Sequence, residues 1–140
     1  MLDKVFFERY PILYHSMIGH FRKLPGFPRF RVDGDSAVTL TDLQLFALLF
    51  LLCRLHPLLE FHATSYATKH SYLDAFVPFV LEVLLTNRAE QLRSLCASAL
   101  CSILPLWKIP DMVEHLSDLL MTSTIRQNAA NGILHFVSIC

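Results

Sequence analysis

The sequence predicts an all-α fold, a segment of a HEAT- or armadillo-like helical-repeat solenoid, from three observations. Apolar residues recur at helical spacing through most of the chain, and no sustained two-residue alternation marks a strand. The stretch "RSLCASALCSIL", Arg93 to Leu104, carries small residues beside its apolar stripe, as a helix does when neighbours stack closely on it. Two helical pairs also follow one another at an offset a little under forty residues, near the lower edge of the ~40–47 of HEAT and armadillo arrays and above the ~34 of TPR units.

Taken in order, the first helical segment covers about 3–24 and is bent or broken at Pro11, which can open a second helix at its first turn. "PGFPRFRVDGDSAV", residues 25–38, is a loop with two prolines and two glycines. Thr39 and Asp42 form a capping-box-like start for a helix over about 41–55, stopped by Pro57 after "RLHP". A mixed polar stretch follows, and Ser71 with Asp74 repeats the start signal for a helix over about 72–86, kinked near Pro78. Asn87 punctuates that helix.

In the next helix, about 89–104, Leu92, Leu95, Cys96, Ala99, Leu100 and Ile103 form a continuous apolar stripe. Ala97, Ser98 and Ser102 lie off the stripe but are small, so the helix is expected to pack on more than one side. Pro105 ends it, and Pro110 with Asp111 opens a helix over about 111–121. A last helix covers about 125–140. First members of the two pairs start near Tyr72 and Asp111, second members near Ala89 and Ile125. The final "NAANGILHFVSIC" ends apolar without a cap, so the 140 residues are expected to be part of a longer solenoid whose units bury their faces against neighbours.

Composition narrows the function. Twelve basic residues balance twelve acidic ones, so no net field draws the chain to nucleic acid or membrane, and any such contact is local. A hydrophobic share of 54% with 17% charged residues exceeds what one small domain readily hides. The longest apolar run, Leu45 to Cys53, is about half of the ~20 residues a membrane span needs and is bracketed by Asp42 and Arg54. It is expected to be a buried helix, with no membrane role. "MLDKVFFERYP" lacks the apolar core of a secretory signal. Cys53, Cys96, Cys101 and Cys140 form no C-x-x-C pair, and Cys96 and Cys101 point roughly 140° apart on one helix. Buried reduced thiols and a cytoplasmic or nuclear location are therefore expected.

Catalytic chemistry has no visible seat. The four glycines are isolated, so no phosphate-binding loop exists for a nucleotide or S-adenosylmethionine, and no cofactor or metal is expected. None of the seven histidines belongs to a strand-turn-helix nucleophile elbow. His115 and His135 are expected on helix faces or in the core. One local feature could contact RNA or a partner: Arg22, Lys23, Arg29 and Arg31, interleaved with Phe21, Phe27 and Phe30. The competing and favoured reading is a solvated loop anchored by its phenylalanines, with Asp33 and Asp35 offsetting part of the charge.

The segments "VFFERYPILYHSMIGHF", "LFALLFLLCRLHP", "YLDAFVPFVLEVLLTNRAEQLRSLCASALCSILP" and "NAANGILHFVSIC" resemble, in the same order, a stretch in the C-terminal half of the thyroid adenoma-associated protein family. The resemblance covers most of this chain and a small part of those longer proteins. It implies a non-catalytic α-helical solenoid that assists an FtsJ-like methyltransferase in 2′-O-ribose methylation of the tRNA anticodon loop. The methyltransferase would bring the S-adenosylmethionine, and tRNA would be met through the complex.

Tyr10 and Pro11 match the family's aromatic-Pro element, and Leu55, His56 and Pro57 its helix end. Arg93, Ala97 and Ala99 match its "R-x-x-A-x-x-A-L" helix approximately. Asn128, Gly132 and Leu134 match "N-x-x-H-G-x-L", with Asn131 in place of the family's His. The arginine-rich "R-R-S-A-G-[LI]-P" element of the family's central domain is absent. Arg93 is expected to tie neighbouring repeats through carbonyl and carboxylate bonds. A generic helical-repeat adaptor unrelated to tRNA is the alternative, and a small helical enzyme is the weakest reading.

Overall fold

The computed structural model describes residues 1–23, 38–57, 72–122 and 124–140, with backbone alone for 38–42. The described residues form α1 (Asp3–Arg9), α2 (Pro11–Lys23), α3 (Val38–Leu52), α4 (Val77–Thr86), α5 (Glu90–Ile103), α6 (Ile109–Leu120) and α7 (Gln127–Ile139). Short 3₁₀ turns, Tyr72–Phe76 and Leu106–Lys108, lead into α4 and α6. The expected loop lies outside the described residues except for Val38, which already belongs to α3.

Proline and its neighbours set several boundaries. Tyr10, pushed out of the helical region by the ring of Pro11 (φ −128°, ψ 65°), separates α1 from α2. Pro78 does not kink a helix. It sits in the first turn of α4, where its missing N–H costs no hydrogen bond, and the residues before it are wound as 3₁₀. Pro110 plays the same part in α6. Thr39 lies within α3 rather than capping it, because the helix opens at Val38. The short Asp42 carboxylate is a poor substitute for the Glu that closes a capping box. Asn87 ends α4 in extended backbone, its N–H bonded to the Val83 carbonyl at 3.0 Å, while its Oδ1 accepts the Ala89 N–H at 2.8 Å ahead of α5.

Helix α5 is the centre of the molecule, packed against α3, α4 and α7. Leu92, Cys96, Ala99, Leu100 and Ile103 are buried along its stripe, and off the stripe Ala97 and Arg93 are buried too. Small side chains explain the multiple neighbours. Each lets a facing backbone approach without leaving a void, and burial of the larger ones contributes about 1.5–3 kcal/mol apiece. Helix α7 approaches α4 closely at Gly132, where a Cβ would collide with the Leu84 carbonyl oxygen and stand 3.1 Å from its carbon.

The N-terminal end is an aromatic cluster. Phe7 and Phe76 are fully buried and stacked at 6.0 Å, Tyr14 meets Phe76 edge-on at 5.7 Å, and Phe21 stacks on Phe79 at 5.6 Å. Backbone bonds from Asp3 N–H to the His56 carbonyl (2.9 Å) and from His56 N–H to the Met1 carbonyl (2.8 Å) tie the start of α1 to the end of α3, forming an isolated parallel bridge.

The Leu45–Cys53 run is half buried rather than enclosed. Leu45, Leu49 and Leu52 face the core, whereas Leu43, Phe46 and Phe50 are exposed. Among the described residues no single helix is long and apolar enough to cross a membrane. The pair α5 and Leu106–Leu120 together reach that length but are bent by 119°.

Two cysteines depart from expectation. Cys101 and Cys140 are joined by a disulfide, with Cα atoms 6.6 Å apart and a separation of 39 in sequence. Spacing along one helix excludes a Cys96–Cys101 pair, but it says nothing about partners on separate helices. Here the bond ties α5 to the residue after α7, and Cys140 is exposed. Cys96 is buried and Cys53 half-buried, both as free thiols.

Candidate RNA and partner contact surface

The family-motif residues divide into structural groups. Arg93, only 5% exposed, sits where α4, α5 and α7 converge. Its Nε donates to Asn131 Oδ1 at 3.0 Å, and its Nη1 donates to the carbonyls of Asn87 (2.9 Å) and Arg88 (2.8 Å). A buried guanidinium is tolerable only when its donors are met in this way. Asn131, standing where the resemblance has His, is the acceptor supplied by α7. The departure thus falls on the residue that joins the two helices. Asn128 is half-buried in the first turn of α7, and Gly132 makes the close approach to Leu84.

His56 and Pro57 follow the end of α3. Ser102 Oγ lies 2.8 Å from the Leu55 carbonyl, 3.0 Å from the Cys53 carbonyl and 3.2 Å from His56 Nδ1. The hydroxyl proton goes to a carbonyl, and with Nδ1 protonated the imidazole donates to the oxygen. This serine is a clasp between α5 and the α3 end rather than an activated nucleophile, which needs a base accepting its proton. Tyr10 is exposed at the α1–α2 junction, its ring 5.5 Å from Phe6 and beneath Arg9.

Of the basic cluster, Arg22 and Lys23 are exposed on the last turn of α2; Arg29 and Arg31 lie outside the described residues. Among the interleaved phenylalanines, Phe21 is wholly buried against Phe76 and Phe79, so it anchors α2 and offers no ring to a base. Phe27 and Phe30 lie outside the described residues.

The charge instead meets an open groove of about 290 Å³ between α2 and the start of α4, lined by Tyr14, His15, Ile18, Gly19, Arg22, Ala75 and Phe79. Gly19 has no atom within 4 Å of the place a Cβ would take. Burial pushes the Tyr14 phenol above its ordinary range; Tyr72 adds to the shift, the Arg22 charge opposes it and Asp74 adds a smaller push. The spacing of Tyr14, Ile18 and Arg22, with His15 and Gly19 beside them, is that of one helix face. That signal was available in the sequence, but the facing wall of Ala75 and Phe79 was not.

Burial pushes the Cys53 and Cys96 thiols upward, away from the thiolate that attacks or binds metal. Among the described residues no group of three or more His, Cys, Asp or Glu side chains is placed to hold a metal ion. His115 is exposed on α6, and the buried Nε2 of His135 lies 3.6 Å from Glu90 Oε1 without a hydrogen bond.

Helices stacked through small residues and joined by inter-helix ties define a helical-repeat architecture. Residues 1–139 match the sequence profile described as Trm732, C-terminal TPR repeats, and the chain belongs to that family, the one that includes the thyroid adenoma-associated proteins. No curated protein and no solved structure matches it. The family is the non-catalytic auxiliary subunit that partners an FtsJ-like methyltransferase in tRNA 2′-O-methylation. The architecture is all-helical and repeat-like; the family's own description is TPR rather than HEAT or armadillo.

Proposed function

We propose that this chain is part of a longer cytoplasmic helical scaffold that holds an FtsJ-like tRNA 2′-O-methyltransferase, with Arg22 and Lys23, continued by Arg29 and Arg31, as the RNA or partner contact. The observation that carries this reading is the match of residues 1–139 to the family. The exposed stripe Leu43, Phe46 and Phe50 supports a life in an assembly, since apolar side chains grouped on one helix face favour a protein partner. In the cytoplasm the glutathione pool would hold Cys101 and Cys140 largely as thiols, with the α5–α7 packing and the Arg93 bonds keeping the helices together.

We further read the units as HEAT-like in spacing. Arg93 and Asn131 are 38 residues apart and the two bonded cysteines 39, longer than the ~34 of a TPR unit.

The test is tagged co-expression with the FtsJ-like methyltransferase of the same organism, followed by size exclusion. A stoichiometric complex is expected. A folded chain that elutes apart from the enzyme contradicts the reading and favours a generic adaptor.

A further inference from the structure

We propose that Asn131 is a self-modifying site gated by the fold: when α7 opens, the backbone nitrogen of Gly132 attacks the Asn131 side-chain amide and converts the asparagine to aspartate or isoaspartate, which resets the bond holding α7 to α5.

The sequence supplies the reactants. Of the three asparagines, Asn87 precedes Arg88, Asn128 precedes Ala129, and only Asn131 precedes a glycine. A Cβ on the following residue hinders attack by its own backbone nitrogen, and glycine has none. Two separate demands of the fold bring this labile pair together. A Cβ at position 132 would collide with the Leu84 carbonyl oxygen, so the α4–α7 contact requires glycine. The buried Arg93 guanidinium requires an acceptor from α7, and Asn131 Oδ1 supplies it at 3.0 Å.

The chemistry needs only water as a second reactant. The Gly132 nitrogen bonds to the Asn131 side-chain carbonyl carbon, the bond from that carbon to Nδ2 breaks, and ammonia leaves with the proton given up by the Gly132 N–H. Water then opens the cyclic imide. Addition at the side-chain carbon restores the main chain and leaves aspartate. Addition at the Asn131 backbone carbonyl carbon leaves isoaspartate, with an extra methylene in the main chain.

The folded chain holds the reacting atoms apart. Gly132 lies inside α7, where its N–H is engaged in the helical ladder, and ring closure requires Asn131 to leave the helical ψ. Arg93 pins Oδ1 and with it the carbon to be attacked. Reaction therefore waits for a local opening that releases both. The two products act on the tie in opposite directions. Aspartate offers the guanidinium a carboxylate, and a charge-assisted bond is the stronger one. Isoaspartate, with its longer main chain, interrupts the ladder of α7 and draws Gly132 off Leu84.

The experiment ages the full chain at mildly alkaline pH, in buffer and in guanidinium chloride, and follows each asparagine by peptide mass spectrometry, which reads the exchange of NH₂ for OH. In guanidinium chloride Asn131 is expected to convert faster than Asn87 and Asn128. In buffer its conversion should be at least about tenfold slower than in denaturant, because it waits for opening. Arg93→Met should speed conversion in buffer at least about threefold. Asn131→Asp should fold and unfold at a higher urea concentration than the unmodified chain. If circular dichroism shows Arg93→Met unfolded, the comparison of buffer with denaturant and the Asn131→Asp midpoint decide. Conversion of Asn131 in denaturant no faster than that of the other two asparagines, equal rates with and without denaturant, a folded Arg93→Met that converts no faster, or a lower midpoint for Asn131→Asp overturns the proposal.

Discussion

Arg93 on α5 and Asn131 on α7 are joined at 3.0 Å across 38 residues of chain, and the same guanidinium closes the α4–α5 turn through the carbonyls of Asn87 and Arg88. One buried cation therefore fixes three helices. Replacing Arg93 by Met keeps the apolar stem but strands three acceptors, and is expected to cost about 3–5 kcal/mol by urea denaturation. Asn131→Ala should cost less, and the double variant should lose less than the sum of the two. Strict additivity would show that the bond contributes nothing.

Two helical glycines should answer the same substitution with opposite signs. Gly19→Ala, in open space, is expected to raise stability by about 0.5–1 kcal/mol through helix propensity. Gly132→Ala drives a methyl group into the Leu84 carbonyl, so α7 must move off α4 and stability should fall by about 1–3 kcal/mol. Thermal unfolding of both variants reads the signs directly; a gain at Gly132 would contradict the close helix contact.

Ala99, fully buried on α5, is the corresponding test of the central stack. Ala99→Phe should overpack it and lower stability by about 1–3 kcal/mol, and an unchanged melting temperature would show that α5 is not the inner helix.

The disulfide should be visible as a redox dependence. A bond closing a loop between residues 39 apart is expected to contribute up to about 4 kcal/mol. Dithiothreitol should lower the melting temperature, Cys140→Ser should reproduce the drop, and the reductant should then have no further effect. Equal melting with and without reductant would show that the tie adds nothing.

Alkaline pH should destabilise the fold through Tyr14. Its phenol is held protonated above the ordinary value of 10.0 in the folded chain, mainly by burial, so the unfolded chain loses that proton first as pH rises. The sign follows: the contribution is intact below pH 10.0 and disappears as pH rises through the folded value. Tyr14→Phe should flatten the fall in melting temperature above pH 10.0, and an unchanged slope would remove Tyr14 from the account.

Much of the helical framework was readable because period and punctuation act locally. The α5 stripe follows from apolar spacing, and the α1–α2 break from the ring of Pro11. Arg93 bonds two carbonyls, as its place at a helix entry predicts, but its third acceptor is the amide oxygen of Asn131, a departure from the motif, and not a carboxylate. What stayed hidden depends on how helices meet. Pairing of Cys101 with Cys140 requires the relative register of α5 and α7, which neither helix encodes alone. Position in the sequence groups Phe21 with charged neighbours, yet its place on α2 puts it in the aromatic cluster. The groove needed both α2 and the start of α4, and only one of its walls had a sequence signature.

The central claim, a non-catalytic scaffold for a tRNA methyltransferase, is tested most directly by a methyl-transfer assay. The FtsJ-like enzyme, this chain and the two together are each supplied with S-adenosylmethionine and tRNA, and ribose 2′-O-methylation is mapped in the anticodon loop. The account predicts no methylation by the chain alone and stimulation when it is added to the enzyme. Methylation by the chain alone, or an enzyme whose rate ignores it, would contradict the account.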